Sequence, residues 1–247
     1  VDNSHAGWQV EFASNGDRRR CHANFLVDAT GRSSSFSSQR GARRLTLDRL
    51  VGIVRFFVPH STGFTSDGST LIEAVEDGWW YTAALPDKRR VVIYMTDSDL
   101  YATAVRRNRD CWLQQLGKTT HCRSKVASYL PVSTHTRILA ANSSRLDRVE
   151  NKNWLALGDA AMAFDPLSGQ GVYRALNSAL QASRAIKGYW NGTDSALQDY
   201  AALIDKDFNN YLRLRKGFYM REQRWPHTPF WQRRQEEVFV QVPKGSE

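Results

Sequence analysis

The stretch from Trp154 to Gly171, Trp-Leu-Ala-Leu-Gly-Asp-Ala-Ala-Met-Ala-Phe-Asp-Pro-Leu-Ser-Gly-Gln-Gly, constrains this chain more than any other. Trp154 to Leu157 is a short apolar run, the pattern of a buried strand. Gly158-Asp159 ends that strand and places a carboxylate at its carboxyl end, where open α/β sheets bind ligands. Gly158 lacks the Cβ that would hold a ligand away from the backbone. Pro166 stiffens the loop that follows, and Gly169 and Gly171 flank Gln170 just ahead of an amphipathic segment. A helix that starts on glycines exposes backbone N–H groups able to hold an electron-rich oxygen or an anion. A carboxylate for hydroxyls and a helix start for electron-rich atoms suit a ring cofactor carried on a polyol chain. The plainer reading of a lone Gly-Asp is a tight turn between a core strand and a core helix, with Asp159 capping locally.

Taken whole, the run resembles the second FAD-binding motif, Gly-Asp-Ala-Ala…Asp-Pro…Gly-x-Gly, of group A flavin monooxygenases and their relatives. Those relatives include flavin-dependent halogenases, geranylgeranyl-reductase-like enzymes and flavoproteins that mature quinone cofactors in partner proteins. In that family the aspartate bonds the ribityl chain and the glycine-flanked helix start faces the isoalloxazine ring. The resemblance therefore implies FAD as cofactor. It gives those roles to Asp159 and to Gly169, Gln170 and Gly171, with Gly158 and Pro166 shaping the same loop.

A second segment, Phe25-Leu-Val-Asp-Ala-Thr-Gly31, is an apolar strand ending in small residues. Alone, Asp28 to Gly31 reads equally well as a plain strand end. In this context it is similar to the family's middle motif, written Ala-Asp-Gly or Ala-Thr-Gly, whose glycine passes close to the adenosine and pyrophosphate half of FAD. By that resemblance Thr30 and Gly31 are FAD neighbours. Thr30 stands where the aromatic hydroxylases carry aspartate, which weakens the case for their use of NADPH.

The chain begins at Val1 and carries no strand–G-x-G-x-x-G–helix fingerprint for a dinucleotide pyrophosphate. A flavoprotein of this kind carries that unit at its amino terminus. The chain is thus expected to be the carboxyl-terminal part of a longer protein. By itself it is expected to hold FAD weakly or not at all, and to leave apolar surface uncovered at Phe25 to Ala29 and Trp154 to Leu157.

Composition narrows the remaining classes. At 247 residues and 41% hydrophobic content the chain can bury a real core. No apolar run is long enough to span a membrane, and no signal peptide is legible. Cys21, Cys111 and Cys122 are odd in number and lack metal-ligand spacing, which fits reduced cysteines in a cytoplasmic protein. The net charge of +9 comes from short, scattered arginine clusters such as Arg18 to Arg20 and Arg233-Arg234. These are not interleaved with aromatics as in a nucleic-acid motif and read as solvated faces. No Ser-His-Asp order, G-x-S-x-G or zinc spacing supports nucleophilic or metal catalysis.

Along the chain, Gly7 to Ala13 and Arg18 to Ala23 read as a hairpin around Asn15-Gly16. Arg32 to Phe36 reads as a loop entering a short helix that ends near Gly41. Leu50 to Pro59, Thr70 to Val75, Gly78 to Leu85 and Arg90 to Thr96 read as an antiparallel meander, with turns at Ser61 to Ser69, Glu76-Asp77-Gly78 and Pro86-Asp87-Lys88. Trp79, Trp80 and Tyr81 lie on its middle strand, as core packing or with one of them lining the substrate space. Ser98 or Asp99 is expected to cap a helix through Arg106, and Asn108 another through Gln115. Pro131 to Leu139 reads as a strand carrying His135, which with Arg137 is expected to be structural. Val172 to Tyr189 is predicted helical, with Val172, Leu176, Ala179, Leu180 and Ile186 near one face. A longer helix capped by Thr193 or Asp194 follows, with Leu203, Phe208, Tyr211 and Leu212 buried, and is broken at Pro226 and Pro229. The Trp-Pro…Phe-Trp tail at 224–234 looks like the tails of halogenase-type and quinone-maturation flavoproteins.

The fold class expected is α/β (α+β). An incomplete Rossmann-like FAD-binding domain (1–48 and 141–192) would accompany an antiparallel-sheet substrate domain (49–140) and carboxyl-terminal helices (193–247). The activity expected is that of an FAD-dependent oxidoreductase of monooxygenase type, acting on an aromatic or peptide-borne substrate, the former a small molecule. Electrons would come from a reductase or NAD(P)H, and a protein partner is compatible. Two alternatives stand beside it. One is a flavin-dependent halogenase, disfavoured because Leu167-Ser-Gly-Gln-Gly171 replaces the Ser-Thr-Gly-like halide loop of tryptophan-type halogenases. The other is a non-catalytic remnant or basic interaction module, which would show Asp159 turned away from a non-concave site.

Overall fold

A computed structural model describes residues 2–4, 7–61, 67–108 and 110–236, with backbone only at 2–4. Strands β1 (Asp2–Ser4), β2 (Gly7–Ser14) and β3 (Asp17–Ala23) form a three-stranded antiparallel ribbon. Asn15 (φ 53°) and Gly16 (φ 89°) make its hairpin turn, where both central residues need positive φ. Strand β4 (Leu26–Asp28) leads through a 3₁₀ turn at Gly31–Ser33 into helix α1 (Ser35–Gln39), followed by β5 (Arg44–Thr46).

Four longer strands follow: β6 (Leu50–Pro59), β7 (Leu71–Val75), β8 (Gly78–Ala84) and β9 (Arg90–Asp97). They pair antiparallel in the order β6-β9-β8-β7. Of the turn-rich segment between β6 and β7, residues 62–66 lie outside the described residues. Three helices, α2 (Ser98–Arg107), α3 (Cys111–Gly117) and α4 (His121–Val126), cross one face of this sheet. Strands β10 (Tyr129–Pro131) and β11 (Arg137–Ala140) both add to β6. Ile53, Phe57, Trp80, Val92 and Tyr94 pack there with Trp112 of α3, and Trp80 stacks on Tyr94 at 4.8 Å. By register, Val54, Ile93, Tyr81, Ile72 and Leu139 belong to the other face.

The chain then returns through β12 (Ser144–Leu146), β13 (Glu150–Asn151), β14 (Trp154–Ala156) and β15 (Met162–Ala163). Strand β14 pairs parallel with β4, the one parallel pair among the described strands. Three helices close the described chain: α5 (Gly171–Trp190), α6 (Ala196–Tyr219) and α7 (Pro229–Gln235). The chain divides into two compact units, one of residues 1–46 and 144–212, the other of 47–143 and 213–240; residues 241–247, grouped with the first, lie outside the described residues.

Several expectations need correction. Strand 131–139 is split, because the Ser133 hydroxyl accepts the His135 N–H at 3.0 Å and turns the backbone out of the ladder. The N-cap of α2 is Asp97 rather than Ser98 or Asp99, and its carboxylate is taken by Arg233 and Arg234. Helix α3 starts at Cys111, since Asn108 spends its side chain on the Asp110 N–H. On α5, Val172, Leu176 and Leu180 are exposed, and Ser178, Ala182 and Ala185 face inward. The backbone explains that inversion: the Gly158 N–H donates to Ser178 Oγ at 2.9 Å, an approach only small residues permit. Trp154, Leu155 and Ala156 are buried rather than uncovered, with Phe36 edge-on to Trp154 and Tyr200 donating to the Ala156 carbonyl. On α6 the inward residues include Leu197, Tyr200, Ile204, Phe208, Tyr211 and Tyr219, which leaves Leu203 outside. This helix ends at Tyr219, before either proline, and Pro229 opens α7 at a position suited to its missing N–H. Residues 237–247 of the expected carboxyl-terminal segment lie outside the described residues.

Candidate functional site

The site lies in the unit built on the parallel β4–β14 pair. Both strands end in a 3₁₀ turn, at Gly31–Ser33 and Gly158–Ala160, and each turn contains a glycine with positive φ (Gly31, 68°; Gly158, 56°). The two turns are adjacent. Arg32 ties them by donating to the Phe164 carbonyl at 2.9 Å and pairing with Asp159 at 3.6 Å. Arg44 does the same from β5, donating to the carbonyls of Asp159 (3.0 Å) and Ala160 (2.7 Å) and to the Ser34 hydroxyl. Burial lowers the pKa of Arg44, as does the charge of Arg32, while Asp159 and Asp28 oppose the shift.

Thr30 is turned into its own loop. Its N–H and hydroxyl donate to Asp28, and its hydroxyl accepts the Ser35 N–H at 2.8 Å. Asp28 also accepts the N–H and hydroxyl of Ser37 at 2.7 and 2.6 Å. Burial alone would raise this carboxyl, but the hydrogen bonds from Ser37 and Thr30 overcome it and hold Asp28 below the usual range. The strand end that reads as a plain Asp-Ala-Thr-Gly is therefore a fixed loop, with the Gly31 backbone open where a Cβ would stand.

In the second motif, Asp165 is fully buried; its N–H donates to Tyr211 Oη at 2.8 Å and its carboxylate accepts the Leu167 N–H. Pro166 follows as the first residue of a short 3₁₀ turn that Gly169 closes at φ 63°. Gln170 is the N-cap of α5, with its side chain engaged by Arg174 Nε at 2.9 Å. Arg174 in turn lies 4.8 Å over the Phe164 ring. The N–H groups of Gly171, Val172 and Tyr173 open α5 without a backbone acceptor among the described residues, and the first such bond comes from Arg174. No side chain occupies the space a Cβ would take at Gly169 or Gly171. Gly158, Asp159 and Gly171 share a shallow depression with Met162, Phe164 and Arg174. Pro166, Gly169, Gln170, Thr30 and Gly31 do not line it.

The geometry therefore offers three free N–H groups on a 20-residue helix, open glycine backbone beside them and a half-exposed carboxylate at the strand end. A flat ring with an electron-rich edge can lie on the helix start, and hydroxyls can meet Asp159. These residues fit a flavin. The sequence reading passed over Arg32, Arg44 and Arg174. Arg32 follows Gly31 directly, yet no periodicity marks an arginine that bridges 132 positions. Among the described residues no group of histidine, cysteine, aspartate and glutamate could hold a metal ion.

Comparison with known proteins gives consistent findings. Residues 4–243 match the tryptophan halogenase family. LodB of Marinomonas mediterranea, a candidate FAD-dependent oxidoreductase, is 31% identical over 236 residues, covering 95% of this chain and 62% of its own. The flavin-dependent halogenase CmlS shares the fold at a TM-score of 0.78 with 23% identity, over 91% of this chain and 42% of its own. The peptidyl tryptophan dihydroxylase QhpG, essential for tryptophylquinone cofactor biogenesis, aligns at a TM-score of 0.64 with 26% identity, over 95% of this chain and 55% of its own. The chain thus spans about half of the length of these relatives, somewhat more for LodB.

Proposed function

The chain belongs to the tryptophan halogenase family, and on that premise we propose that it is part of an FAD-dependent oxidoreductase of monooxygenase type acting on an aromatic, peptide-borne substrate. The observation that carries the reading is the α5 start, where the N–H groups of Gly171 to Tyr173 have no backbone acceptor beside the half-exposed Asp159. Asp159 would accept from ribityl hydroxyls, and Gly169, Gln170 and Gly171 would present the helix start to the ring. Gly158 and Pro166 would set that loop, while Thr30 and Gly31 would pass the adenosine half. When bound, FAD supplies the transfer of electrons between reductant, oxygen and substrate. The residues of this chain bind and orient: Arg32 holds Asp159 in place, and Asp165 with Tyr211 fixes the approach to the helix.

We assign substrate contact to the sheet face that carries Tyr81. Trp79 donates to Tyr219 Oη at 3.1 Å and Trp80 is enclosed in the opposite core, which leaves Tyr81 half-exposed beside Ile93. The dihydroxylase QhpG supports a peptide-borne indole as substrate. Reducing equivalents would come from a reductase or NAD(P)H. A cytoplasmic setting is part of this reading, supported by the unpaired state of Cys21, Cys111 and Cys122. Among the described residues no helix is long and apolar enough to cross a membrane.

The family name and the halogenase CmlS favour a second reading, halogenation. One experiment separates the two. The whole protein is supplied with FAD, a reductant, oxygen and a tryptophan-containing peptide, with chloride or bromide present or absent. Mass spectrometry is expected to find oxygen added to the peptide whether or not halide is present. Chlorinated or brominated peptide would reverse the order of the two readings.

A further inference from the structure

The two edges of the large sheet are finished differently. At the β7 edge the Val75 carbonyl accepts Trp231 Nε1 at 3.0 Å and the Glu76 carbonyl accepts the Thr228 hydroxyl at 3.0 Å. The Glu73 carboxylate of β7 accepts the N–H groups of Thr120, His121 and Cys122 at the start of α4. At the other edge, β11 pairs with β6 alone. The Ala141 N–H donates to the Leu50 carbonyl at 3.0 Å, and this fixes the alternation: Arg137, Leu139 and Ala141 turn their backbone groups towards β6, while Ile138 and Ala140 turn theirs outward. No described residue bonds the outward N–H and C=O groups of Ile138 and Ala140.

Every residue of β11 is exposed, Ile138 and Leu139 by 56% each. Edge strands are usually blunted by lysine, proline, a bulge or a covering element, and residues 137–140 hold neither lysine nor proline. On the helix-covered side of the sheet, a groove of about 430 Å³ lies between this edge and α2, walled by Val51, Tyr101, Ala102, Val105, Thr136 and Ile138. Ile138 belongs to the last strand on this side of the sheet. A further strand laid on β11 would therefore set alternate side chains beside Ile138, at the groove.

Charge selects the occupant. Arg137 stands on the strand itself, and Arg106 and Arg107 follow Val105 at the end of α2; all three are exposed and form no ion pair among the described residues. A second copy would bring the same arginines against them, on a chain of net charge +9, whereas an acidic segment is drawn in. In strand addition the main chain supplies affinity and alternate side chains supply specificity. We propose that β11 takes an extended acidic peptide segment as an added strand, bonded through the main chain to Ile138 and Ala140, with an apolar side chain packed on Ile138 in the groove. The inference is independent of the flavin reading, whose residues it does not use. Under that reading the segment belongs to the protein that carries the peptide-borne substrate.

The test is the fluorescence anisotropy of a labelled decapeptide alternating valine and glutamate, titrated with the whole protein in the absence of FAD and reductant. This peptide should bind, and a valine–lysine counterpart should bind at least about tenfold more weakly. The acidic peptide N-methylated throughout keeps its charge and side chains but has no backbone N–H to donate, and should also lose at least about tenfold. On the protein, Ala140→Pro deletes one outward N–H, a change that edge strands tolerate, and should weaken the acidic peptide by at least about tenfold. Should Ala140→Pro lose its native circular dichroism, the N-methylated peptide on the unaltered protein decides. No binding of the acidic peptide at millimolar protein, equal binding of the N-methylated or the lysine peptide, or a dimer of the unaltered protein that Ala140→Pro dissolves would each overturn the proposal.

Discussion

Replacing Asp97 by alanine should destabilise the large-sheet unit by about 3–5 kcal/mol, the range for a buried pair that loses one partner. Asp97 is 1% exposed and ends β9. It accepts Arg234 Nη2 at 2.6 Å and Arg233 Nη1 at 2.9 Å, so one carboxylate holds two residues of α7. Arg234 is enclosed, with its guanidinium 3.7 Å from the Phe230 ring centre. Burial works against its charge, but Tyr219 and the bond to Asp97 raise its pKa above the ordinary value. Without Asp97 the largely buried guanidinium keeps a single hydrogen bond, to the Phe230 carbonyl. Urea denaturation of the variant gives the size of the loss, and a change below about 1 kcal/mol would show that the pair contributes little beyond a surface bridge. Adding Arg234→Leu to Asp97→Ala should restore much of the lost stability, since apolar residues often replace a buried pair without harm. Arg233→Ala should cost under about 1 kcal/mol, because its side chain is 41% exposed.

Gly78→Ala should be comparably severe, with a loss of more than about 4 kcal/mol from combined backbone strain and overlap. Gly78 opens β8 at φ 154°, and a Cβ there would stand 2.0 Å from the Met95 carbonyl oxygen. That oxygen belongs to the neighbouring strand, so no rotamer change relieves the contact. The turn around it is held by Thr96 Oγ1 and Tyr94 Oη, both of which donate to the Asp77 carbonyl. Gly68→Ala supplies the control: among the described residues nothing lies within 4 Å of its added Cβ. It should change the stability by less than about 0.5 kcal/mol in the same denaturation series. Similar midpoints for the two variants would mean that the β7–β8 turn has room for a Cβ at Gly78.

The parts that could be read from sequence are those whose local pattern and tertiary role agree. Strand β6 runs from Leu50 to Pro59 as its apolar composition and terminal proline imply, and the Asn15-Gly16 turn sets the register of β2 on β3. The turns at Gly31, Gly158 and Gly169 also follow from local residues, because all three glycines sit at positive φ. What escaped was decided at a distance. The large apolar residues of α5 point outward because close approach to Gly158 reserves the inner face for Ser178 and Ala182. Periodicity reports that a stripe exists and is silent on which side meets the core. The short strands β5, β12, β13 and β15 hold three residues or fewer, too short for any alternation to register. Arg32 and Arg44 carry no sequence signal for their roles; each takes its meaning from partners more than 100 positions away.

The proposal that FAD lies between the Asp159 turn and the start of α5 has a direct consequence for binding, read by titrating FAD into the whole protein and into its Asp159→Ala variant while following the quenching of flavin fluorescence. Loss of a charge-assisted hydrogen bond to the ribityl chain should weaken binding by roughly ten- to a hundredfold, about 1.5–3 kcal/mol, with circular dichroism unchanged. Superimposable titration curves for the two proteins would contradict the assignment.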